Sequence, residues 1–303
     1  MINTANLKKR LVFPAVAVPV ALVIVSSDFS ISAFVLKLLG MDGGALPAIY
    51  PGQILALTIV LLGAYEYTKM LSVANKKNAF WLGYLWILAI SGAYLFDYPV
   101  PATLSNGVLL MLVAIEAFTF GKEAPQGRWK RASLFFSGII FLNIASISIL
   151  SLYREPFQQL FDAPSFLFIK KLELVIVFTA VFMCDTAAYL VGSAWGKRKL
   201  TSMSPNKTIE GSLGGLAMSA AIMTGCWLFL GSPEFPIIIG VIMGILIGVA
   251  GQTGDLLASL MKRYFRVKDA SAIIPGHGGI LDRFDSLFFA APVLYLFAWL
   301  LTR

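Results

Sequence analysis

PIIIGVIMGILIGVAGQTGDLLASLM, the stretch at residues 236–261, shows the pattern that decides the fold. It is long enough to cross a hydrocarbon core of roughly 30 Å as a helix, and similar runs recur along the chain. Of the 303 residues, 58% are hydrophobic and only 13% are charged, about half the charged fraction of an average soluble domain. Lipid must surround most of such a chain, and its backbone groups must be satisfied within helices.

Nine apolar runs predict an all-α, polytopic transmembrane protein with about nine transmembrane helices. They lie at residues 11–26, 51–71, 79–96, 103–120, 132–153, 170–195, 212–231, 236–261 and 285–301. The connection at residues 27–50 contains Gly43, Gly44 and Pro47, which disfavour a helix there. The first run follows three basic residues, as in a signal peptide, but two prolines interrupt it, so we expect a retained helix.

The basic residues are distributed unevenly between the two sides of the membrane. If the N-terminus is cytoplasmic, 19 of the 24 Lys and Arg residues fall in cytoplasmic segments, as the positive-inside rule requires. The sequence therefore predicts a multi-pass protein of the cell inner membrane whose N-terminus and two polar loops, residues 196–211 and 262–284, face the cytoplasm. Cations placed between apolar runs suit orientation and anionic lipid headgroups better than nucleic acid, so no nucleic-acid partner is expected.

The motifs are concentrated in the second half of the chain. We expect residues 1–165 to form an N-terminal region of five transmembrane helices with few motifs. Residues 166–303 should form a C-terminal catalytic region with four helices and both polar loops. Cys184 and Cys226 lie inside apolar runs, which indicates packing roles and not a disulfide.

One face of the helix expected at residues 236–261 becomes polar towards its end. Its members are spaced by three or four positions, which places them on one side of a helix: Gly244, Gly248, Gln252, Asp255, Ser259 and Lys262. The glycines would let a second helix approach closely. The polar residues could form a hydrogen-bonded seam between helices. A carboxylate in a membrane helix is expensive, however, so a functional role for Asp255 is the default expectation.

A second polar face is expected at residues 170–195, where Asp185, Tyr189, Gly192 and Gly196 are spaced by four, three and four positions. Asp185 lies roughly 16 Å below the end of this run at 1.5 Å per residue, near the middle of the membrane. An ionised carboxylate at that depth needs a cation partner or a wet cavity, whereas a protonated one needs only a hydrogen bond. We favour the functional alternative.

The last polar loop combines bases, acids and glycines in a way that suits a polyphosphate. Its basic residues can neutralise phosphate charge, and arginine can grip two oxygens: Lys262, Arg263, Lys268 and Arg283. The glycines around His277 let backbone amides approach an anion. Asp282 and Asp285 offer hard oxygen ligands of the kind that Mg²⁺ prefers. Taken singly, each basic residue could equally be a topology signal that also contacts lipid headgroups.

Two further positions are each open to two interpretations. His277 is the only histidine and lies between glycines with little to pack against, which favours a phosphate contact over a structural role. In the other polar loop, the stretch from Ser204 to Gly211, Ser-Pro-Asn-Lys-Thr-Ile-Glu-Gly, leads into a helix whose free amides attract anions. A nucleotide contact is favoured there over simple capping of the helix.

These patterns resemble those of the phosphatidate cytidylyltransferases, also called CDP-diglyceride synthases. Residues Ser259 to Asp285 match the family's Ser, Lys-Arg, Lys-Asp, Pro-x-His-Gly-Gly and Asp-Arg-x-Asp at its spacing. Two further stretches, Asp185-Thr-Ala-Ala-Tyr189 and the one that begins at Ser204, resemble family motifs in the same order, with Asn206 as the one departure. The resemblance covers about residues 180–290.

The resemblance implies an enzyme, a nucleotidyltransferase that makes CDP-diacylglycerol and pyrophosphate from phosphatidate and CTP in phospholipid biosynthesis. It implies that Asp255, Asp282, Lys262 and Arg283 act in catalysis. It also implies that Asp255, Asp282 and Asp285 hold Mg²⁺ or Mn²⁺, with a second cation. The substrate-binding residues would be Asp185, Tyr189, Ser204, Lys207, Thr208, Glu210, Ser259, Arg263, Lys268, Asp269, His277, Gly278 and Gly279. Membrane lipid and a second copy in a homodimer would be its partners.

In the implied reaction, a phosphate oxygen of phosphatidate attacks the α-phosphorus of CTP in line, and pyrophosphate leaves. Three alternatives remain open. A CTP-dependent lipid kinase would transfer the γ-phosphate instead, and a catalytically weak paralogue would share the fold. A transporter would explain the buried carboxylates, but the chain has no inverted repeat.

Overall fold

The computed structural model describes residues 30–38, 49–74, 80–96, 125–153, 157–161, 172–201, 204, 207–274 and 278–303, together with residues 24 and 111. In these ranges the α-helices are α1 (Ile31–Leu38), α2 (Pro51–Ala74), α3 (Phe80–Leu95), α4 (Pro125–Ser151), α5 (Leu172–Trp195), α6 (Ile209–Leu230), α7 (Ile238–Tyr264) and α8 (Leu281–Leu301), and a 3₁₀ helix covers Phe157–Leu160. The all-α prediction is confirmed for the described residues. Apart from residues 24 and 111, the predicted spans 11–26 and 103–120 lie outside them, so the total of nine spans stays a prediction.

Six of the described helices, α2 and α4 to α8, are long and apolar enough to cross a membrane, and α3 is a shorter apolar helix. Large apolar side chains point outwards from these helices: Trp195, Phe229 and Leu300 are 70%, 78% and 62% exposed. Apolar surface of this kind is unfavourable in water and is expected where lipid covers the helices. The chain is a multi-pass membrane protein.

The last two helices are longer than the apolar runs that predicted them. α7 continues through Lys262 and Arg263 in its last turn, and α8 already has Asp282 in its first turn. Hydropathy marks only the apolar part of a helix, whereas the backbone hydrogen bonds continue into charged turns. The prediction of one loop over residues 262–284 was therefore wrong in its bounds. The connection between the two helices is residues 265–280, of which 265–274 and 278–280 are described, and it is called loop 265–280 below.

Two other connections also contain more helix than expected. α6 begins at Ile209, so the predicted loop at residues 196–211 ends before that residue. The connection at residues 27–50 contains α1, which was not predicted. A helix of 8 residues is too short to give a reliable periodic signal in the sequence.

The helices fall into two compact units. Apart from residue 24, the described residues of the first unit come from Ser151–Met261 and Asp282–Arg303, which hold α5, α6, most of α7 and α8. Small residues let these helices approach closely: a Cβ at Gly244 of α7 would lie 2.6 Å from the Ser219 carbonyl oxygen of α6. The predicted close helix contact at this glycine is confirmed, and it brings α7 against α6.

The second unit consists of the described residues of Phe29–Leu150 together with Lys262–Leu281. Within it, the hydroxyls of Ser91 on α3 and Ser146 on α4 share a buried hydrogen bond of 2.7 Å. Because Lys262–Leu281 belongs to this unit, loop 265–280 packs with helices from the N-terminal half of the chain. The predicted N-terminal and C-terminal regions divide the chain by its motifs, and that division stays a prediction.

Candidate active site

Lys207 and Asp255 form an ion pair in the first unit. The Lys207 Nζ lies 2.5 Å from Asp255 Oδ2, and the two side chains are 26% and 31% exposed. Asp255 comes from the polar face of α7, and Lys207 lies just before α6. Ser259, one turn further along α7, places its hydroxyl 3.5 Å from Asp255 Oδ1. Three predicted site residues are therefore brought together at one partly open position.

Asp185 of α5 belongs to the same charged centre. Its Oδ2 accepts a hydrogen bond of 2.9 Å from the Ser286 hydroxyl of α8. Among the described residues, Asp255, Lys207 and Arg283 are near enough to interact electrostatically with its carboxyl group. A carboxylate in a membrane helix was expected to need a cation partner, a wet cavity or a hydrogen bond, and the structure supplies both cations and a hydrogen bond. The centre thus draws on α5, α7, α8 and the segment before α6.

The start of α8 supplies the carboxylates of Asp282 and Asp285. Asp285 is buried, and its Oδ1 accepts a hydrogen bond of 2.8 Å from the Ser286 amide. The carbonyl oxygen of Asp285 packs against Gly254 of α7. Because Gly254 precedes Asp255, this contact holds the first turns of α8 next to the acidic end of α7. Asp282 lies in the first helical turn, where the helix dipole stabilises negative charge.

The carboxylates of this centre have the donor chemistry that Mg²⁺ prefers. Among the residues that the structure describes, no group of three or more His, Cys, Asp or Glu side chains is placed to hold an ion. A complete protein cage is not needed for Mg²⁺, which often binds through one or two carboxylates and the phosphates of a substrate. The carboxylates of this centre therefore fit a cation that arrives with a nucleotide better than a metal held by protein alone.

Gln252 holds three helices together one turn before Asp255. Its Nε2 donates to the Ser212 carbonyl oxygen of α6 at 2.9 Å and lies 3.6 Å from the Cys184 sulfur of α5. The Ser212 hydroxyl in turn donates to Gln252 Oε1. Gln252 therefore belongs to a hydrogen-bonded seam between helices, which was the alternative to a functional role for this polar face. Ser212 and Ser286 were not identified from the sequence, because a single serine in an apolar run carries no pattern.

The loop before α6 is held against the N-terminus of that helix. Thr208 caps α6, because its Oγ1 accepts a hydrogen bond of 3.1 Å from the Gly211 amide. The Oε2 of Glu210 accepts hydrogen bonds from two consecutive loop amides, those of Lys197 at 3.1 Å and Arg198 at 3.2 Å. Both side chains have structural roles here, and their contact with a nucleotide stays a prediction.

The other predicted contact residues lie at different positions. Tyr189 of α5 is 74% exposed, and the Ser204 carbonyl oxygen accepts a hydrogen bond of 3.0 Å from the Lys207 amide. His277 lies outside the described residues. The remaining ones belong to the second unit: Lys262, Arg263, Lys268, Asp269, Gly278 and Gly279. The roles of these residues at the site stay predictions.

A buried acid in the second unit was missed by sequence reasoning. Glu66 of α2 is fully buried, and its carboxylate accepts hydrogen bonds from the amides of Ile280 and Leu281. Glu66 is the only acidic residue in the apolar run at residues 51–71. The rule that a carboxylate in a membrane helix is expensive, which drew attention to Asp185, would have found it too.

Comparison with known proteins identifies the family of this chain. A family model described as "Cytidylyltransferase family" matches residues 29–301, which is most of the chain. The chain belongs to the cytidylyltransferase family. The match confirms the resemblance drawn from the three motifs, and it confirms the predicted class of enzyme, a nucleotidyltransferase.

Several individual relatives carry one name. The chain is 35% identical to a phosphatidate cytidylyltransferase of Brucella melitensis over 250 residues, which are 80% of this chain and 82% of the relative. It is 44% identical to one of Synechocystis over 128 residues, 42% of this chain and 43% of the relative. With one of Bacillus subtilis it shares 46% identity over 116 residues, 38% of this chain and 43% of the relative. The last two matches thus span less than half of either protein.

Proposed function

We propose that this chain is a phosphatidate cytidylyltransferase of phospholipid biosynthesis, which makes CDP-diacylglycerol and pyrophosphate from phosphatidate and CTP. The observation that carries the proposal is the Lys207–Asp255 ion pair, because it joins the motif before α6 to the polar face of α7. Asp185 and Arg283, from the two other motif-bearing helices, interact at the same centre. The name of the relatives, and the family to which the chain belongs, support this reaction among the possible cytidylyl transfers.

Neutralising charge is the main task of such a site, because both substrates are polyanions. Lys207 and Arg283 are the cations of the first unit that interact with Asp185. An ammonium group on a flexible stem can exchange a carboxylate for a phosphate oxygen, and a guanidinium can grip two phosphate oxygens. In the proposal, Lys207 and Arg283 therefore bind the phosphates of CTP.

The reaction itself needs positioning more than acid–base chemistry. A phosphate oxygen of phosphatidate attacks the α-phosphorus of CTP, and the bond from that phosphorus to the oxygen bridging the β-phosphate breaks. Pyrophosphate leaves with the electron pair of that bond. A phosphate monoester is already anionic at neutral pH, so no side chain has to remove a proton. Asp185, whose carboxylate accepts a hydrogen bond from the Ser286 hydroxyl, would help to hold Lys207 and Arg283 in place.

Asp255 and Asp282 are the carboxylates that would hold Mg²⁺ or Mn²⁺, with Asp285 and a second cation as further members of the proposed centre. When bound, such an ion neutralises charge on phosphoryl oxygens. The contact of Asp285 with Gly254 supports this assignment, because it holds α8 beside the end of α7 that carries Asp255.

The proposed location is the cell inner membrane, with the N-terminus and the two polar loops in the cytoplasm, where CTP is available. The excess of Lys and Arg in the corresponding segments supports this orientation. Phosphatidate would enter from the cytoplasmic leaflet of the surrounding lipid. A homodimer belongs to the proposal as well, and the mass of the purified protein in detergent would test it.

Cysteine labelling tests the orientation. In a variant without Cys184 and Cys226, we expect Ala272→Cys to react with an impermeant thiol reagent only after the cells are opened. Ala272 is exposed in loop 265–280. The matched control is Glu234→Cys, exposed between α6 and α7 on the opposite side in the proposed orientation, which should react in intact spheroplasts. The reverse pattern would overturn the orientation.

Product analysis tests the proposed reaction. Purified protein in detergent is incubated with phosphatidate, Mg²⁺ and CTP labelled in either the α- or the γ-phosphate. We expect the α-label to appear in lipid as CDP-diacylglycerol and the γ-label to appear in pyrophosphate. A lipid kinase would put the γ-label into lipid. A protein that binds both substrates without turnover would be the weak paralogue, and either result would refute the proposal.

Lys207→Met should weaken the binding of CTP. Loss of a charge-assisted contact to a phosphate is expected to raise the KM for CTP by about tenfold or more, with a smaller change in the KM for phosphatidate. The matched control is Lys199→Met, which removes the same charge from an exposed position in the same loop and should leave both KM values within about twofold. An equal rise in both KM values for Lys207→Met would contradict a role in binding the triphosphate.

A further inference from the structure

The Glu66 carboxylate accepts hydrogen bonds from three groups in the loop before α8 and at the start of that helix. Its Oε1 accepts from the Ser271 hydroxyl at 2.5 Å and from the Ile280 amide at 2.9 Å, and its Oε2 accepts from the Leu281 amide at 2.7 Å. The side chain is fully buried. Burying a carboxylate is costly unless it is hydrogen-bonded. The three donors offset that cost only while the loop keeps this conformation, so acid and loop depend on each other.

Glu66 also caps α8 from another helix. α8 begins at Leu281, and the first amides of a helix have no partner within it. A carboxylate at this end is further favoured by the helix dipole. Leu281 is followed directly by Asp282 and Arg283. Because Glu66 fixes where α8 starts, it also fixes the backbone positions of Asp282 and Arg283.

The neighbour of Glu66 holds the other end of the loop. The Tyr67 ring packs edge-on against the Phe265 ring at a centroid distance of 6.2 Å, and Phe265 is buried. Phe265 is the first residue after α7, whereas Ile280 is the last residue before α8. Two adjacent residues of α2 therefore hold both ends of loop 265–280.

Gly279 leaves the space that Glu66 occupies. A Cβ at Gly279 would lie 2.5 Å from Glu66 Oε2, closer than real contacts allow. The preceding Gly278 has a φ of 88°, and its carbonyl oxygen accepts a hydrogen bond of 2.9 Å from the Ile274 amide. Gly278 and Gly279 were expected to let backbone amides approach a phosphate. At Gly279 the lack of a side chain also makes room for the Glu66 carboxylate.

We propose that Glu66 is a positioning residue for the cytidylyl transfer, which acts by fixing loop 265–280 and the start of α8. The inference rests on the proposed function and extends it to a residue outside the matched motifs. Glu66 touches neither substrate in this proposal. Its effect reaches the reaction through Asp282 and Arg283, whose backbone it sets.

Glu66→Gln tests the inference with two independent measurements. The glutamine amide group places N–H donors where the native carboxylate accepts, so at least one loop amide loses its partner. We expect kcat to fall between about tenfold and a hundredfold, the scale of a small misplacement of reacting groups. In hydrogen exchange followed by mass spectrometry, the peptide over residues 271–285 should exchange about tenfold faster.

Ser91→Ala is the matched control, because it removes a buried hydrogen bond in the same unit at the contact with Ser146. It should lower the melting temperature but leave kcat and the exchange of residues 271–285 unchanged. Gly279→Ala should reproduce the kinetic and exchange effects of Glu66→Gln by forcing the carboxylate aside. If Glu66→Gln cannot be purified, the milder Ser271→Ala decides the question, because it removes one of the three donors to Glu66 at a position without a predicted substrate contact.

The outcomes separate this inference from the proposed function. Wild-type kcat and wild-type exchange in Glu66→Gln, or in the substitute variants, would overturn the positioning role. The same holds if Ser91→Ala lowers kcat as strongly as Glu66→Gln. A wild-type protein that makes no CDP-diacylglycerol would refute the proposed function instead, whatever the exchange experiment shows.

Discussion

Asp255→Asn and Asp282→Asn are each expected to lower kcat by at least about a hundredfold, the scale of losing a major electrostatic stabiliser. Asp255 is already paired with Lys207 at 2.5 Å, and Asp282 lies in the first turn of α8. The contact of the Asp285 carbonyl oxygen with Gly254 joins these two helices next to Asp255. If both carboxylates hold the same cations, each is indispensable for one shared function.

The double variant gives the sharper result. Residues that act as a unit are strongly non-additive, so Asp255→Asn combined with Asp282→Asn should be little worse than either single variant. Initial rates with saturating CTP and phosphatidate measure this. EDTA should silence the wild type, and Mg²⁺ or Mn²⁺ should restore it.

Glu234→Gln is the control for the loss of an acid. Glu234 is exposed in the connection between α6 and α7, away from the charged centre in the chain, and its amide variant should keep the wild-type rate. Losses that multiply in the double variant, or activity that survives chelation, would contradict a shared metal site.

Asp185→Asn should lower kcat by at least about tenfold while the protein still inserts and purifies. The carboxyl group of Asp185 interacts electrostatically with Lys207, Asp255 and Arg283, so the neutral amide leaves two cations without part of their anionic environment. Asparagine has nearly the same volume and can still accept the Ser286 hydrogen bond. The packing of α5 against α8 should therefore survive, and the melting temperature should change little.

Ser286→Ala separates the charge of Asp185 from its hydrogen bond. This variant removes the donor 2.9 Å from Asp185 Oδ2 and keeps the negative charge, so its kcat should fall by less than that of Asp185→Asn. A steady-state assay at saturating substrate, with melting curves of both variants, measures the difference. Wild-type turnover in Asp185→Asn, or a larger loss in Ser286→Ala, would return Asp185 to a purely structural role.

The limits of sequence reasoning are clear at particular residues. The spacing of Asp255 and Ser259 on α7 indicated one polar face, and the structure joins these two side chains. The same spacing gave no indication that Gln252 would bind α5 and α6 while Asp255 would pair with Lys207. Helical periodicity tells which residues share a face, but it does not tell which neighbour each of them meets.

By itself, the sequence determined that this is a helical membrane protein and that it resembles the cytidylyltransferases, because hydropathy, periodicity and motif spacing are all local properties of the chain. Only the tertiary structure decided that Lys207 meets Asp255 and that Glu66 holds the amide of Leu281, 215 positions further along the chain. Such contacts depend on how closely the helices approach each other. Small residues and buried side chains from distant parts of the chain jointly determine that distance.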